Sequence, residues 1–81
     1  MSRGMSAQQI NEENRTRCRV KWFNLHLGYG FLEPEGGGTD IFMHFSVLEE
    51  AGYQHVCQND EIICTTGQGK NGTQVLKIHE I

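Results

Sequence analysis

Lys21-Trp22-Phe23-Asn24-Leu25-His26-Leu27-Gly28-Tyr29-Gly30-Phe31-Leu32, continued after a glycine-rich gap by Asp40-Ile41-Phe42-Met43-His44-Phe45-Ser46, is the stretch on which the fold turns. Glycines at 28 and 30 make poor helix but suit a strand whose backbone a ligand approaches closely. Period two then sorts the side chains. Tyr29 and Phe31 share one face of a strand over 28–33, with Leu32 on the other. In a strand over 40–45, Phe42 and His44 share a face, while Ile41, Met43 and Phe45 lie opposite. Val20, Leu32, Ile41, Met43, Ile62, Val75 and Ile78 are the branched and flexible apolar side chains that a small interior needs. With these inside, Tyr29, Phe31, Phe42 and His44 stand outside as planar rings on adjacent strands. The opposite parity buries His44 without a partner and exposes Leu32. A solvated row of rings is an apolar patch that proteins avoid unless it binds something.

Outward from this stretch the punctuation is regular. Residues 16–24 read as a first strand, Glu35–Thr39 as a turn, and Ser46-Val47-Leu48-Glu49 as the S-x-x-E start of a helical turn near 46–51. A connection over 52–59 leads to a fourth strand near 60–66. The glycine-rich run 67–72 reads as a mobile loop before a fifth strand over 73–80. Five short strands with no room for a second layer imply an all-β fold, a five-stranded antiparallel OB-fold barrel of the oligonucleotide/oligosaccharide-binding type. At 81 residues the chain is one small domain with a thin core. Residues 1–14 are polar without an apolar period and read as a flexible tail, leaving 15–81 as the domain.

Net charge is −3, yet Arg15, Arg17, Arg19 and Lys21 fall at alternate positions of the first strand, with no acid between Glu13 and Glu33. Such a stripe is either a solubilising strand face or the cationic border of the ring surface. Rings beside cations match bases stacked on aromatics with their phosphates steered by charge, at roughly 1–3 kcal/mol per base. Three to five such contacts suggest a dissociation constant between about micromolar and tens of nanomolar. A duplex hides its base faces, so the expected partner is single-stranded. A saccharide stacked on the same rings, or a basic protein meeting Glu33, Glu35, Glu49 and Glu50, is the competing reading.

Catalysis has no support. There is no nucleophile–base arrangement, Glu49 and Glu50 are adjacent rather than opposed, and Gly67-Gln68-Gly69-Lys70 lacks the flanks of a phosphate loop, so no catalytic residue and no enzyme is expected. Cys18, Cys57 and Cys64 are odd in number without C-x-x-C spacing, which fits reduced, mostly packed thiols in a cytoplasmic protein. A zinc reading recruits His55, Cys57 and Cys64 but lacks a fourth ligand, so no metal and no cofactor is expected. No apolar run exceeds three residues, too short for a membrane helix or a signal segment. A monomer is expected, with a strand-swapped dimer as the alternative.

The three blocks 21–24, 27–32 and 40–46, with their spacing, closely resemble the cold-shock domain over about 17–79. The middle block is similar to its K-G-F-G-F-[IV] motif and the last to V-F-V-H-[FQ]. The resemblance implies a five-stranded barrel that binds single-stranded RNA and single-stranded DNA, acts as an RNA chaperone and influences transcription and translation, with a link to cold or stress response. Carried over by motif, the binding residues are Lys21, Trp22, Phe23, Tyr29, Phe31, Phe42, His44, Phe45 and Tyr53. For Phe45 this overrides parity, a strand end turning the ring outward. Asp40 stands where the family has an acid near the nucleic acid. The family's pattern is broken at Leu27, which replaces a lysine, and at Lys70-Asn71-Gly72, where a basic residue is followed by Gly-Pro; Lys70 would restore that charge one position early. Tyr29 and Met43 for Phe and Val keep a stacking ring and a core filler.

Overall fold

The computed structural model describes residues 15–81, and the tail expected over 1–14 lies outside the described residues. The elements are β1 (Arg15–Asn24), β2 (Tyr29–Pro34), β3 (Ile41–His44), α1 (Phe45–Glu50), β4 (Glu61–Gly69) and β5 (Gly72–Glu80). The strands close into a barrel in the order β1-β2-β3-β5-β4, with β4 returning to pair with β1. Among the described residues closure gives every strand a neighbour on both sides, where an open sheet edge in so small a domain would invite association. The pairs β1–β2, β2–β3, β1–β4 and β4–β5 are antiparallel. The expected antiparallel pairing thus holds at four of the five seams, while β3 and β5 run parallel and meet at Phe42 and Gln74. No hairpin joins these two strands: the chain passes through α1 and β4 between them, so β5 arrives in the same direction as β3.

The ten residues of β1 serve two neighbours. Arg15–Arg19 pair with β4, and Cys18–Asn24 with β2, so the strand wraps round the barrel. The β1–β2 register shifts between Val20 and Trp22. Cys18 and Val20 are buried. Plain alternation would bury Trp22 with them. The extra residue, Lys21, instead sets Trp22 opposite Phe31 on the outer surface, and places Phe23 opposite Gly30 and against the core.

All seven expected core residues are buried, joined by Cys18, Cys64 and Leu48. The Sγ atoms of Cys18 and Cys64 lie 3.8 Å apart between β1 and β4, while Cys57 is exposed. The hydrogen bond to Cys18, together with burial, pushes the Cys64 thiol well up.

α1 is capped two residues earlier than the S-x-x-E pattern predicts. Its N-cap is His44, not Ser46: the His44 Nδ1 accepts from the Ser46 N–H at 3.1 Å, taking up a donor that helix geometry leaves free. At the other end Gly52 has φ +91°, the Gly52 N–H donates to the Glu49 carbonyl at 3.0 Å, and the Tyr53 N–H donates to Leu48 at 2.9 Å. This is a Schellman ending, which a residue with a side chain would enter only under strain. The run 67–72, read as a loop, is mostly ladder. Gly67, Gln68 and Gly69 pair with Gln74, Thr73 and Gly72, leaving Lys70 and Asn71 as the turn. A Cβ on Gly67 would lie 2.7 Å from Leu76 Cδ1, and one on Gly69 would run into the Gln74 amide. These glycines therefore seat neighbouring side chains within a strand.

Candidate nucleic-acid interface

The platform is built by register. Trp22 faces Phe31 across β1–β2, and β2–β3 pairs Phe31 with Phe42 and Tyr29 with His44. Four rings consequently touch in sequence. Trp22 lies 5.7 Å from Tyr29 and 5.6 Å from Phe31 by ring centroid, and Phe42 lies 5.4 Å from Tyr29 and 5.7 Å from Phe31. Tyr29 and Phe31 are edge-on at 88°, whereas Tyr29 and Phe42 are only 33° apart. Trp22 keeps 40 % of its surface, and Tyr29, Phe31 and Phe42 are half-buried. The barrel wall beneath is Val20, Leu32, Ile41 and Met43, so none of these four rings is needed inside. His44 is exposed at the platform's edge, and its cap to Ser46 fixes the ring through Nδ1 and leaves the proton on Nε2 as an outward donor.

Charge is arranged differently from the stripe read in the sequence. Lys21 Nζ lies 3.1 Å from an Asp40 carboxylate oxygen, a pair that reaches across β2 from β1 to the start of β3. Arg17 sits between Glu35 at 3.6 Å and Glu61 at 3.5 Å, and Arg19 is opposite Glu33 and Glu61 in register. Arg15, Arg17 and Arg19 belong to the half of β1 that pairs with β4, away from the rings. Lys21 is the stripe's cation at the platform. These exposed pairs hold little energy, on the order of 0–1 kcal/mol each, so a phosphate can compete for the cation.

The remaining candidates lie apart from the four rings. Phe23 packs on the core opposite Gly30. β3 ends at His44, so Phe45 opens α1, its ring half-buried and its N–H donating to the Gly28 carbonyl at 2.8 Å. Phe45 and Tyr53 line a shallow groove with Leu25, Gly28 and Glu49, and the Schellman ending of α1 delivers Tyr53 to it. Lys70 is exposed at the β4–β5 turn, on the hairpin that meets the platform through Gln74 and Phe42. Gly28 and Gly30 do not both serve a close-lying ligand. Gly28 has open space around it and φ +81°, a requirement of its turn, while Gly30 is crowded from within by Trp22 and Phe23.

Sequence reasoning missed Leu25 as part of the surface. It is 57 % exposed in the β1–β2 turn, beside Leu27 at 56 %. An apolar Leu-His-Leu in a turn closed by the Asn24 side chain, which accepts from the Leu27 N–H at 3.0 Å, was the available signal. His55 and Cys57 are exposed on the connection and Cys64 is in the core; among the described residues no three metal-binding side chains converge. Among the described residues no helix is long and apolar enough to cross a membrane.

The family model for the 'Cold-shock' DNA-binding domain matches residues 16–81. The chain belongs to the cold-shock domain family. It is 44 % identical over 59 residues to the cold shock-like protein CspA of Bordetella pertussis, covering 73 % of this chain and 88 % of that one. Similarity to the major cold shock protein of Micrococcus luteus is 37 % over 62 residues, and to the cold shock protein CspB of Geobacillus stearothermophilus 39 % over 62 residues. Each of those two alignments covers 76 % of this chain and 92 % of the relative. Nucleic-acid binding is thus the function of this cold-shock domain, whose outer surface carries the cluster of four rings. Against the family's motif, this cold-shock domain has an apolar rim at Leu25 and Leu27, with Leu27 in place of a cation.

Proposed function

We propose that the chain binds single-stranded nucleic acid, RNA and DNA alike, by stacking unpaired bases on Trp22, Tyr29, Phe31 and Phe42. Lys21 steers phosphates along one side, His44 donates from the edge, and Phe45 and Tyr53 hold a further base in their groove. Phe23 and Asp40 contribute by position, one under the platform and one against Lys21, and Lys70 meets the backbone at the hairpin turn. The observation that carries this reading is the contiguous, solvent-facing cluster of four rings above a core that is complete without them. Stacking is tolerant of base identity and of the sugar, so RNA and DNA both fit. A protein that binds only unpaired strands shifts folded RNA toward open forms by mass action, which is the action of an RNA chaperone and a route to regulating transcription and translation. The chain then works by binding rather than catalysis, as a cytoplasmic monomer.

The test compares a single strand with its own duplex in a direct binding titration at several salt concentrations. Preference for the single strand by at least about tenfold is expected, with log affinity falling against log salt by about 0.7 per phosphate contact. Equal affinity for the duplex overturns the stacking reading, and binding that ignores salt points to a neutral saccharide.

A further inference from the structure

Opposite the rings, the barrel carries a second cationic surface. In the ring β1-β2-β3-β5-β4 the platform centres on β2. The wall centred on β4 is separated from it by β1 on one side and by β3 and β5 on the other. On that wall one register row runs Arg15 on β1, Thr65 on β4 and Lys77 on β5. Arg15 and Lys77 are exposed, and Thr65 is half-buried between them. The ladder shifts on either side of this row, between Ile63 and Cys64 and between Thr65 and Thr66. The first shift brings His79 alongside: its Nε2 lies 2.6 Å from the Thr65 Oγ1. Burial holds the His79 imidazolium form down, and the charges of Arg15 and Lys77 hold it down further, so both cations act on one point. Among the described residues neither Arg15 nor Lys77 is in an ion pair, whereas Arg17 and Lys21 are. Glu80 and Glu61 sit on neighbouring rows, opposite Ile63 and Arg19.

We propose that Arg15, Lys77 and His79 form a second phosphate-contacting face, which takes the backbone of a strand that runs on past the ring platform. This rests on the single-strand reading above and extends it. β1 is the track between the two faces: Arg15 opens it and Trp22 lies near its far end, about 23 Å away at strand rise, with Lys21, Arg19 and Arg17 exposed between them. Among the described residues the face has no Trp, Tyr or Phe, so it holds backbone and not bases, and adds affinity without adding sequence preference. Thr65 contributes a hydroxyl that hydrogen-bonds the His79 ring and orients it toward the two cations' ligand.

The full-length chain and an Arg15→Gln/Lys77→Gln double variant are titrated with oligothymidines of about 6 and about 16 nucleotides, within the range one such barrel spans. The short strand should bind both proteins alike. The long strand should bind the wild type about five- to tenfold more tightly than the variant at low salt, and the variant's salt slope should be smaller by about 1.4, two contacts' worth. His79 ring resonances in the wild type should move with the long strand and stay still with the short one, a readout independent of whether the variant folds. An equal effect at both lengths, no effect at either, or a His79 ring indifferent to length overturns the second face. Failure of the wild type to bind even the short strand overturns the platform reading instead, and the second face with it.

Discussion

Leu27 is the residue at which this domain most visibly departs from its family's pattern, and its contribution can be isolated. Its backbone N–H closes the β1–β2 turn on the Asn24 side chain, but its side chain is exposed and lies outside the buried core. Leu27→Lys should therefore leave the melting temperature unchanged. It should tighten binding to oligopyrimidines several-fold at low salt and add about 0.7 to the salt slope. An unchanged affinity would show that no phosphate passes this turn. At the same scale, legibility in the sequence was uneven for a physical reason. Tyr29, Phe31, Phe42 and His44 lie on strands that alternate without interruption, so parity placed them correctly. Trp22 and Phe23 follow a bulge, which reverses parity and leaves no local mark in the sequence; only the motif pointed to Trp22.

Gly30 ties two elements together. It is buried opposite Phe23, and a Cβ there would strike the Trp22 carbonyl oxygen and lie 2.6 Å from Phe23 Cα and 2.8 Å from Phe23 Cδ1. The first two are backbone atoms and cannot turn aside, so Gly30→Ala must push β1 from β2 where the platform is anchored. A loss of about 1–3 kcal/mol in chemical unfolding is expected, as for overpacking elsewhere, with weaker strand binding because Trp22 moves. Wild-type stability in this variant would mean that the two strands do not approach so closely. Element ends were the least legible part of the chain. Ser46-Val47-Leu48-Glu49 pointed to a helix, but His44 reached its cap first because a ring nitrogen two residues ahead occupies the Ser46 N–H. The glycines at 67 and 69 read as a loop because the sequence gives no sign that Leu76 and Gln74 lie over them.

For the whole molecule, stability rests on few residues. Among the described residues ten buried side chains make the interior, and Leu48 is the one that α1 supplies. Leu48→Ala should cost about 2–5 kcal/mol, a large part of what so small a domain has, and should lower the melting temperature steeply. A saturating single strand should recover part of this, about 2.7 kcal/mol at a hundredfold excess over the dissociation constant. A melting temperature that ignores both the substitution and the strand would contradict the core described above. The barrel and its seven expected core residues were readable because turn residues and period two recur along the chain. The parallel β3–β5 seam was not, since it rests on one long-range register pair that no local pattern encodes.

The claim that the outer rings stack bases is tested most directly by the fluorescence of the lone tryptophan, Trp22, which lies within the ring cluster. Titration of the folded protein with a short oligothymidine or oligouridine at low salt should quench it saturably, with a midpoint between about micromolar and tens of nanomolar, while a duplex of equal length leaves it unchanged. Trp22 emission that stays constant across the micromolar range with single strands, in protein that is folded, would contradict base stacking on this face.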